Sequence, residues 1–153
     1  MVRLIIDEEE KKAVARLVLE ELRMWFEVEE SREKYISDCA DWMFFEAVED
    51  DKPAGFLCLK PTGKDTVEIA VMGVLSAYHR RGFGRQLFEA AKKAAIDSGY
   101  SFMQVKTVKM GMYECYDMTN RFYISLGFKE LEVIESIWGA DNPCQIYVMS
   151  LKQ

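Results

Sequence analysis

Val74-Leu75-Ser76-Ala77-Tyr78-His79-Arg80-Arg81-Gly82-Phe83-Gly84-Arg85 joins an almost unbroken apolar run, Thr66 to Leu75, to a segment with apolar residues at helical spacing. Two glycines two residues apart at a helix start let backbone N–H groups approach an anion without Cβ atoms in the way. The helix dipole also favours negative charge there. Arg80, Arg81 and Arg85 gather positive charge around the same turn. A phosphate or pyrophosphate is the natural ligand, and a glycine-softened turn with a solvated arginine cluster is the plainer alternative. The stretch holds neither the Gly-Lys-Ser/Thr of a Walker loop nor the Gly-x-Gly-x-x-Gly of a Rossmann turn, which disfavours a mononucleotide kinase or a dehydrogenase.

Working outward, Thr66 to Leu75 reads as a strand buried on both faces. Leu87, Phe88, Ala91, Ala94 and Ala95 share a helix face, with Gly99 as the stop signal. Phe102 to Val108 reads as a strand, Thr119 to Leu126 as a short helix, and Lys129 to Ile137 and Ile146 to Leu151 as two closing strands. Towards the start, Val2 to Ile6 is β-prone, and Asp7 stands at an N-cap with Glu10 three residues on, as in a capping box. Val14, Leu17, Val18, Leu22 and Trp25 then recur over a helix of about 18 residues. A second helix begins near Ser31 and fades before Asp41. Trp42 to Val48 and Gly55 to Leu59 flank Glu49-Asp50-Asp51-Lys52-Pro53, which reads as a hairpin. This order of elements predicts one α/β (mixed α+β) domain over residues 1–153 with a strand–helix–strand unit in its middle.

The 153 residues carry 20 Lys and Arg against 26 Asp and Glu, a net charge of −6. That balance disfavours nucleic acid, whose non-specific binding rests on Lys and Arg neutralising phosphates. Aromatics at 12% and only three Pro argue against a disordered chain. No apolar run approaches the roughly 20 residues that span a bilayer. The first residues meet an acidic cluster too soon for a signal peptide's apolar region, so a cytoplasmic protein is expected. Cys39, Cys58, Cys115 and Cys144 are spread without a Cys-x-x-Cys pair, and His79 is the only histidine. Neither a metal site nor a disulfide scaffold fits that spacing, and free thiols in a reducing compartment do. A catalytic Cys–His pair would have to use His79.

A second motif follows the glycine turn. Asn120-Arg121-Phe122-Tyr123-Ile124-Ser125-Leu126-Gly127-Phe128 begins 36 residues after Gly84 (120 − 84). Together the two segments resemble the GNAT superfamily of acetyl-CoA-dependent N-acetyltransferases. There a Gln/Arg-x-x-Gly-x-Gly/Ala turn binds the CoA pyrophosphate, and an Asn-x-x-Tyr-x-x-x-Gly-Phe segment lies beside pantetheine and sulfur. The resemblance runs from the first strand to the last. It implies a GNAT-like fold, a central mixed, mostly antiparallel twisted sheet of about seven strands with about four helices. His79 departs from the usual Gln or Arg of the first motif.

The resemblance also implies roles. Tyr123 is the general acid that protonates the CoA sulfur, a phenol with pKa about 10 that holds its proton at neutral pH. The alternative is a ring packed like Phe122 and Leu126. Glu68 is the sole charged residue between Val67 and Ala77. It takes the place of a general base, direct or through water, unless it is simply solvated. A backbone N–H near Val74, where the strand bulges from its neighbour, supplies the oxyanion donor. The cofactor residues are Val74, Leu75, Ser76, His79, Arg80, Arg81, Gly82, Phe83, Gly84, Arg85, Asn120 and Tyr123, with acetyl-CoA as cosubstrate and no metal. The acceptor region comprises Met24, Trp25, Phe26, Glu27, Glu29 and Glu30, then Trp138, Gly139, Ala140, Asp141 and Asn142, bordered by Tyr113, Glu114 and Tyr116. Aromatics with carboxylates suit a cationic amine, while a core tryptophan and solvated glutamates are the plainer reading. The stretch from Trp138 to Cys144 looks like that of bacterial members. The expected partners are a small-molecule or peptide amine acceptor and a second copy in a homodimer, with neither nucleic acid nor a membrane. The alternative is a CoA-binding sensor or partner module without transferase activity.

Overall fold

The first strand, β1 (Val2–Ile5), leads into Asp7, whose carboxylate accepts from the Glu10 N–H at 2.9 Å and starts α1 (Glu8–Glu21). Glu8, Glu9 and Glu10 in its first turn complement the helix dipole. The structure is a computed structural model, and residues 1–152 are described. α1 has 14 residues, fewer than its periodicity suggests, because it ends at Leu22. Trp25 belongs to the turn that follows, where it packs on the same core from outside the helix, and Leu17 is exposed. Val14, Val18 and Leu22 of the expected stripe are buried, joined by Ala15 and Leu19.

α2 (Glu29–Asp38) begins two residues before Ser31 and passes into a 3-10 turn, Cys39–Asp41. The buried Lys11 fastens that turn, its Nζ donating to the carbonyls of Ala40 (3.2 Å) and Trp42 (2.8 Å). β2 (Met43–Glu49) and β3 (Lys52–Pro61) form the expected hairpin, but with a connection of only two residues. Asp50 and Asp51 both have left-handed φ, 50° and 62°. That is the backbone of the tight turn whose twist matches the strands, made here by two aspartates in place of the favoured Asn-Gly.

β4 (Thr66–Val74) differs from the expected strand buried on both faces. Val67, Ile69, Val71 and Gly73 are buried, while Glu68, Ala70, Met72 and Val74 alternate with them half-buried. A Cβ on Gly73 would lie 2.9 Å from Leu22 Cδ1 and 3.0 Å from Val18 Cγ1, so glycine lets α1 sit directly on β4. A Cβ on Gly55 would lie 2.6 Å from the Gly73 carbonyl oxygen. After a 3-10 turn, Ser76–Tyr78, comes α3 (Phe83–Asp97). Leu87, Phe88, Ala91 and Ala95 are buried along it, and Gly99 at φ 89° ends the segment.

β5 (Phe102–Val108) falls where the sequence placed it and pairs parallel with β4 from Thr66↔Phe102 to Ile69↔Val105. α4 (Glu114–Ser125) starts five residues before Thr119. β6 (Lys129–Ile134) stops short of Ile137, and β7 (Cys144–Ser150) begins two residues before Ile146. β7 is antiparallel to both β5 and β6, with a bulge at Leu131 of β6. The seven strands follow the order β1-β2-β3-β4-β5-β7-β6, and with four α-helices among the described residues they form the mixed α/β architecture expected.

The chain divides into two compact units, Met1–Lys60 with Ala70–Ala94, and Pro61–Ile69 with the residues from Ala95 on. The core of the first sets Ile5, Val18, Leu19 and Ile36 around Phe44 and Phe56, whose rings stack at 5.0 Å. The core of the second includes Met103, Val105, Phe128 and Tyr147. Among the described residues no helix is long and apolar enough to cross a membrane, and no cluster of three or more His, Cys, Asp and Glu is placed to hold a metal ion. The four cysteines are free thiols.

Candidate active site

In the first unit the glycine turn delivers the chain into α3. Gly82 has φ 85°, and its carbonyl accepts the first bond of the helix, from Gln86 N–H at 3.0 Å. The leading N–H groups of a helix have no intrahelical acceptor, so Phe83, Gly84 and Arg85 begin α3 at its positive end. Arg80 is left-handed as well, at φ 62°.

The side chains of this turn are more committed than three clustered arginines suggest. Arg81 donates to the Glu49 carboxylate at 2.5 Å and lies over the rings of Tyr78 (5.4 Å) and Phe83 (5.6 Å). It is held against the end of β2, while Arg80 and Arg85 are exposed. His79 turns back to β4. Its Nε2 is 2.6 Å from the Val74 carbonyl oxygen, which fixes the tautomer with the proton on Nε2, and Trp25 meets its ring edge-on at 6.2 Å. The Leu75 N–H donates to Ala54 O (2.8 Å), and the Ser76 N–H to the Glu21 carboxylate (3.3 Å). Glu21, Trp25, Val74, Ser76 and His79 thus link the end of α1 to the end of β4.

The other residues of this unit expected to face an acceptor have the plainer surroundings. Met24 is exposed, Phe26 is half-buried edge-on to Tyr35 at 6.0 Å, and Glu27, Glu29 and Glu30 are solvated. Glu29 and Glu30 occupy the first turn of α2, where the dipole favours them. A surface cavity of about 400 Å³ is lined by Met1, Arg3, Glu10, Val14, Glu46, Val48, Asp51 and Pro53, none of them an expected site residue.

In the second unit α4 carries Asn120 and Tyr123 on one buried face. The Asn120 amide donates to Val108 O (2.8 Å) and Tyr116 O (2.7 Å), and its Oδ1 accepts from the Tyr147 hydroxyl at 2.6 Å. The Tyr123 ring lies among Phe122 (5.7 Å), Phe128 (5.9 Å) and Tyr147 (6.4 Å). Burial pushes its phenol well above the usual tyrosine range. Glu68 is not a free carboxylate, since Lys106 Nζ donates to it at 2.8 Å and its side chain is 12% exposed. Tyr113, Glu114 and Tyr116 stand at the start of α4, the two tyrosine rings 6.1 Å apart. Trp138 is exposed beside a turn closed by Asn142 N–H to Gly139 O at 3.0 Å, which spans Ala140 and Asp141. In the sequence Tyr147 and Lys106 stand out only as strand residues. No local signal marks either, because their partners lie 27 and 38 positions away.

The model of the Acetyltransferase (GNAT) family matches residues 11–128, and the chain belongs to that family. Among solved structures, a GNAT-family protein from Desulfovibrio desulfuricans superposes with a TM-score of 0.86 at 21% identity, over 99% of this chain and 99% of that one. An aminoglycoside 6'-N-acetyltransferase complexed with coenzyme A gives a TM-score of 0.78 at 17% identity, over 100% and 98%. The ribosomal-protein-S18-alanine N-acetyltransferase from Escherichia coli gives 0.78 at 17%, over 100% and 96%. At such identities the likeness is one of fold. No match is found among curated proteins.

Proposed function

We propose that this chain is one acetyl-CoA-binding domain, an acyltransferase that moves an acetyl group directly from acetyl-CoA to a primary amine. The observation that carries the reading is Tyr123, whose ring is buried on α4 and whose hydroxyl makes no hydrogen bond to another described residue. The phenol keeps its proton at neutral pH and gives it up only as negative charge grows on the departing sulfur, since burial makes it a weaker acid than a solvated tyrosine. The pyrophosphate falls to the start of α3, through the backbone of Gly82, Phe83 and Gly84 and the side chains of Arg80 and Arg85. His79 and Arg81 serve that turn by holding it to Val74 and Glu49. The Val74 N–H is the oxyanion donor. A substrate ammonium, with pKa near 10, must lose a proton before attack, and Glu68 assists through water while Lys106 holds its carboxylate.

A CoA-binding sensor without transferase activity is the second reading, favoured by the Glu68–Lys106 pair, which occupies the expected base. Thiol release from acetyl-CoA with a panel of polyamines, aminoglycosides and peptide N-termini decides between them. Release above the amine-free rate supports the transferase, and CoA binding without release supports the sensor. If Glu68→Gln leaves both kcat/KM and its pH profile unchanged, the base role fails. The acceptor is a small-molecule or peptide amine met in the cytoplasm. The exposed glutamates near Trp25 and Phe26 suit its positive charge.

A further inference from the structure

Asn120 entered the sequence reading as a cofactor residue, yet its amide is engaged within the protein. Both Nδ2 protons go to backbone carbonyls, Val108 at the end of β5 and Tyr116 one turn back in α4. Its Oδ1 accepts from Tyr147 of β7. Asn120 is wholly buried, and Tyr147 is 1% exposed. One amide therefore bolts α4 to β5 and β7 at a point where water does not compete, and an unpaired polar atom would be costly. Tyr123 is three residues further along the same helix face. With no hydrogen bond of its own among the described residues, its hydroxyl is aimed by ring packing and by where α4 is held.

We propose that Tyr147 is a positioning residue for Tyr123, acting through Asn120. The proposal rests on the acid role given to Tyr123 above. Tyr147→Phe keeps the ring that lies 6.4 Å from Tyr123 and removes only the hydroxyl that Asn120 Oδ1 accepts. The stranded carbonyl then turns or tilts α4 in search of a donor. That movement reaches Tyr123 at the next turn, where a misplacement of the order of 1 Å costs up to about a hundredfold in rate.

The test has two arms. The first needs no acceptor: the protein is labelled with carbon-13 at tyrosine Cζ, and Tyr123→Phe assigns the Tyr123 signal. Tyr147→Phe is expected to shift or broaden that signal although the ring contact is kept, and an unmoved signal overturns the proposal. The second arm measures thiol release from acetyl-CoA, with the best of spermidine, kanamycin and an alanine-led peptide as probe amine. Tyr147→Phe lowers kcat about tenfold with the KM for acetyl-CoA unchanged. In the Tyr123→Phe background the same change alters kcat less than about twofold, because the residue it acts through is gone. An equal loss in both backgrounds marks a general structural role and overturns the proposal. If Tyr123→Phe itself keeps the parent kcat, the acid reading falls while the spectroscopic arm still decides the positioning. Should Tyr147→Phe not fold, Asn120→Leu combined with Tyr147→Phe leaves neither side-chain polar atom of the couple behind and carries the same readouts.

Discussion

The imidazole of His79 reaches back five residues to the carbonyl oxygen of Val74, 2.6 Å from Nε2, and so ties the glycine turn to the strand that precedes it. His79→Gln places an amide donor within reach of the same carbonyl and is expected to bind CoA within about twofold of the parent. His79→Ala loses the tie and weakens CoA binding about fivefold, equivalent to about 1 kcal/mol. Calorimetric titration of both variants checks this, and equal affinities in all three proteins count against the tie.

Gly82 owes its identity to conformation rather than to lack of room. A Cβ there meets nothing nearer than Gln86 Nε2 at 4.0 Å, but φ is 85°. An L-residue in that region costs about 1–2 kcal/mol, and more if β-branched. Gly82→Ala is expected to lower stability by about that amount, and Gly82→Val to abolish CoA binding as the turn rearranges. Urea unfolding and CoA titration give the two numbers. Micromolar binding retained by Gly82→Val refutes the pyrophosphate assignment.

Tyr123→Phe is expected to depress kcat by about 10²-fold or more while leaving the Kd for acetyl-CoA nearly unchanged. Equal kcat in the two enzymes ends the acid role.

The same phenol has a signature in the pH dependence of stability. Its pKa in the folded state is raised by burial above the ordinary value of 10.0. The folded state therefore holds a proton that the unfolded chain gives up above that pH. The contribution is fully present below pH 10.0 and declines as pH rises towards the folded-state value. Burial raises Tyr147 in the same direction. Melting temperatures between about pH 8 and pH 11 should fall more gently in Tyr123→Phe than in the parent.

Gly55 and Gly73 differ in what can give way. A Cβ on Gly73 meets the ends of Leu22 and Val18, which can rotate, whereas one on Gly55 meets the Gly73 carbonyl oxygen, which is backbone. Gly73→Ala is expected to cost about 1–3 kcal/mol by overpacking, and Gly55→Ala to cost more. Denaturant unfolding ranks the two, and the reverse order contradicts the close approach of β3 and β4.

The sequence was most informative where a local rule has one solution. The Asp7–Glu10 cap, the glycine before α3 and the stop at Gly99 are all short-range devices, and each stands where it was expected. The early start of α4 is hidden because its N-cap, Tyr113, gives no side-chain capping bond and its first turn carries little apolar signal. The half-buried face of β4 is not legible in the sequence because Ala70, Met72 and Val74 are apolar, and composition does not distinguish a half-buried face from a buried one. Within the candidate site, residue types were legible but their commitments were not. The partners of Arg81, Glu68 and Asn120 come from 32, 38 and 27 positions away, beyond the reach of any periodicity.

The irregular outer strand limits how copies of the chain can join. β6 is exposed along its length, and a regular strand in that place would offer its free backbone groups to a second molecule. The extra residue at Leu131 breaks the repeat, and Glu130 and Glu132 on either side of it carry like charges. Strand-to-strand growth through this edge would have to flatten the bulge and bring carboxylates together. Two copies that associate through this part of the molecule are therefore expected to meet by side-chain faces, through Leu131 and Val133, leaving the strand margin bare.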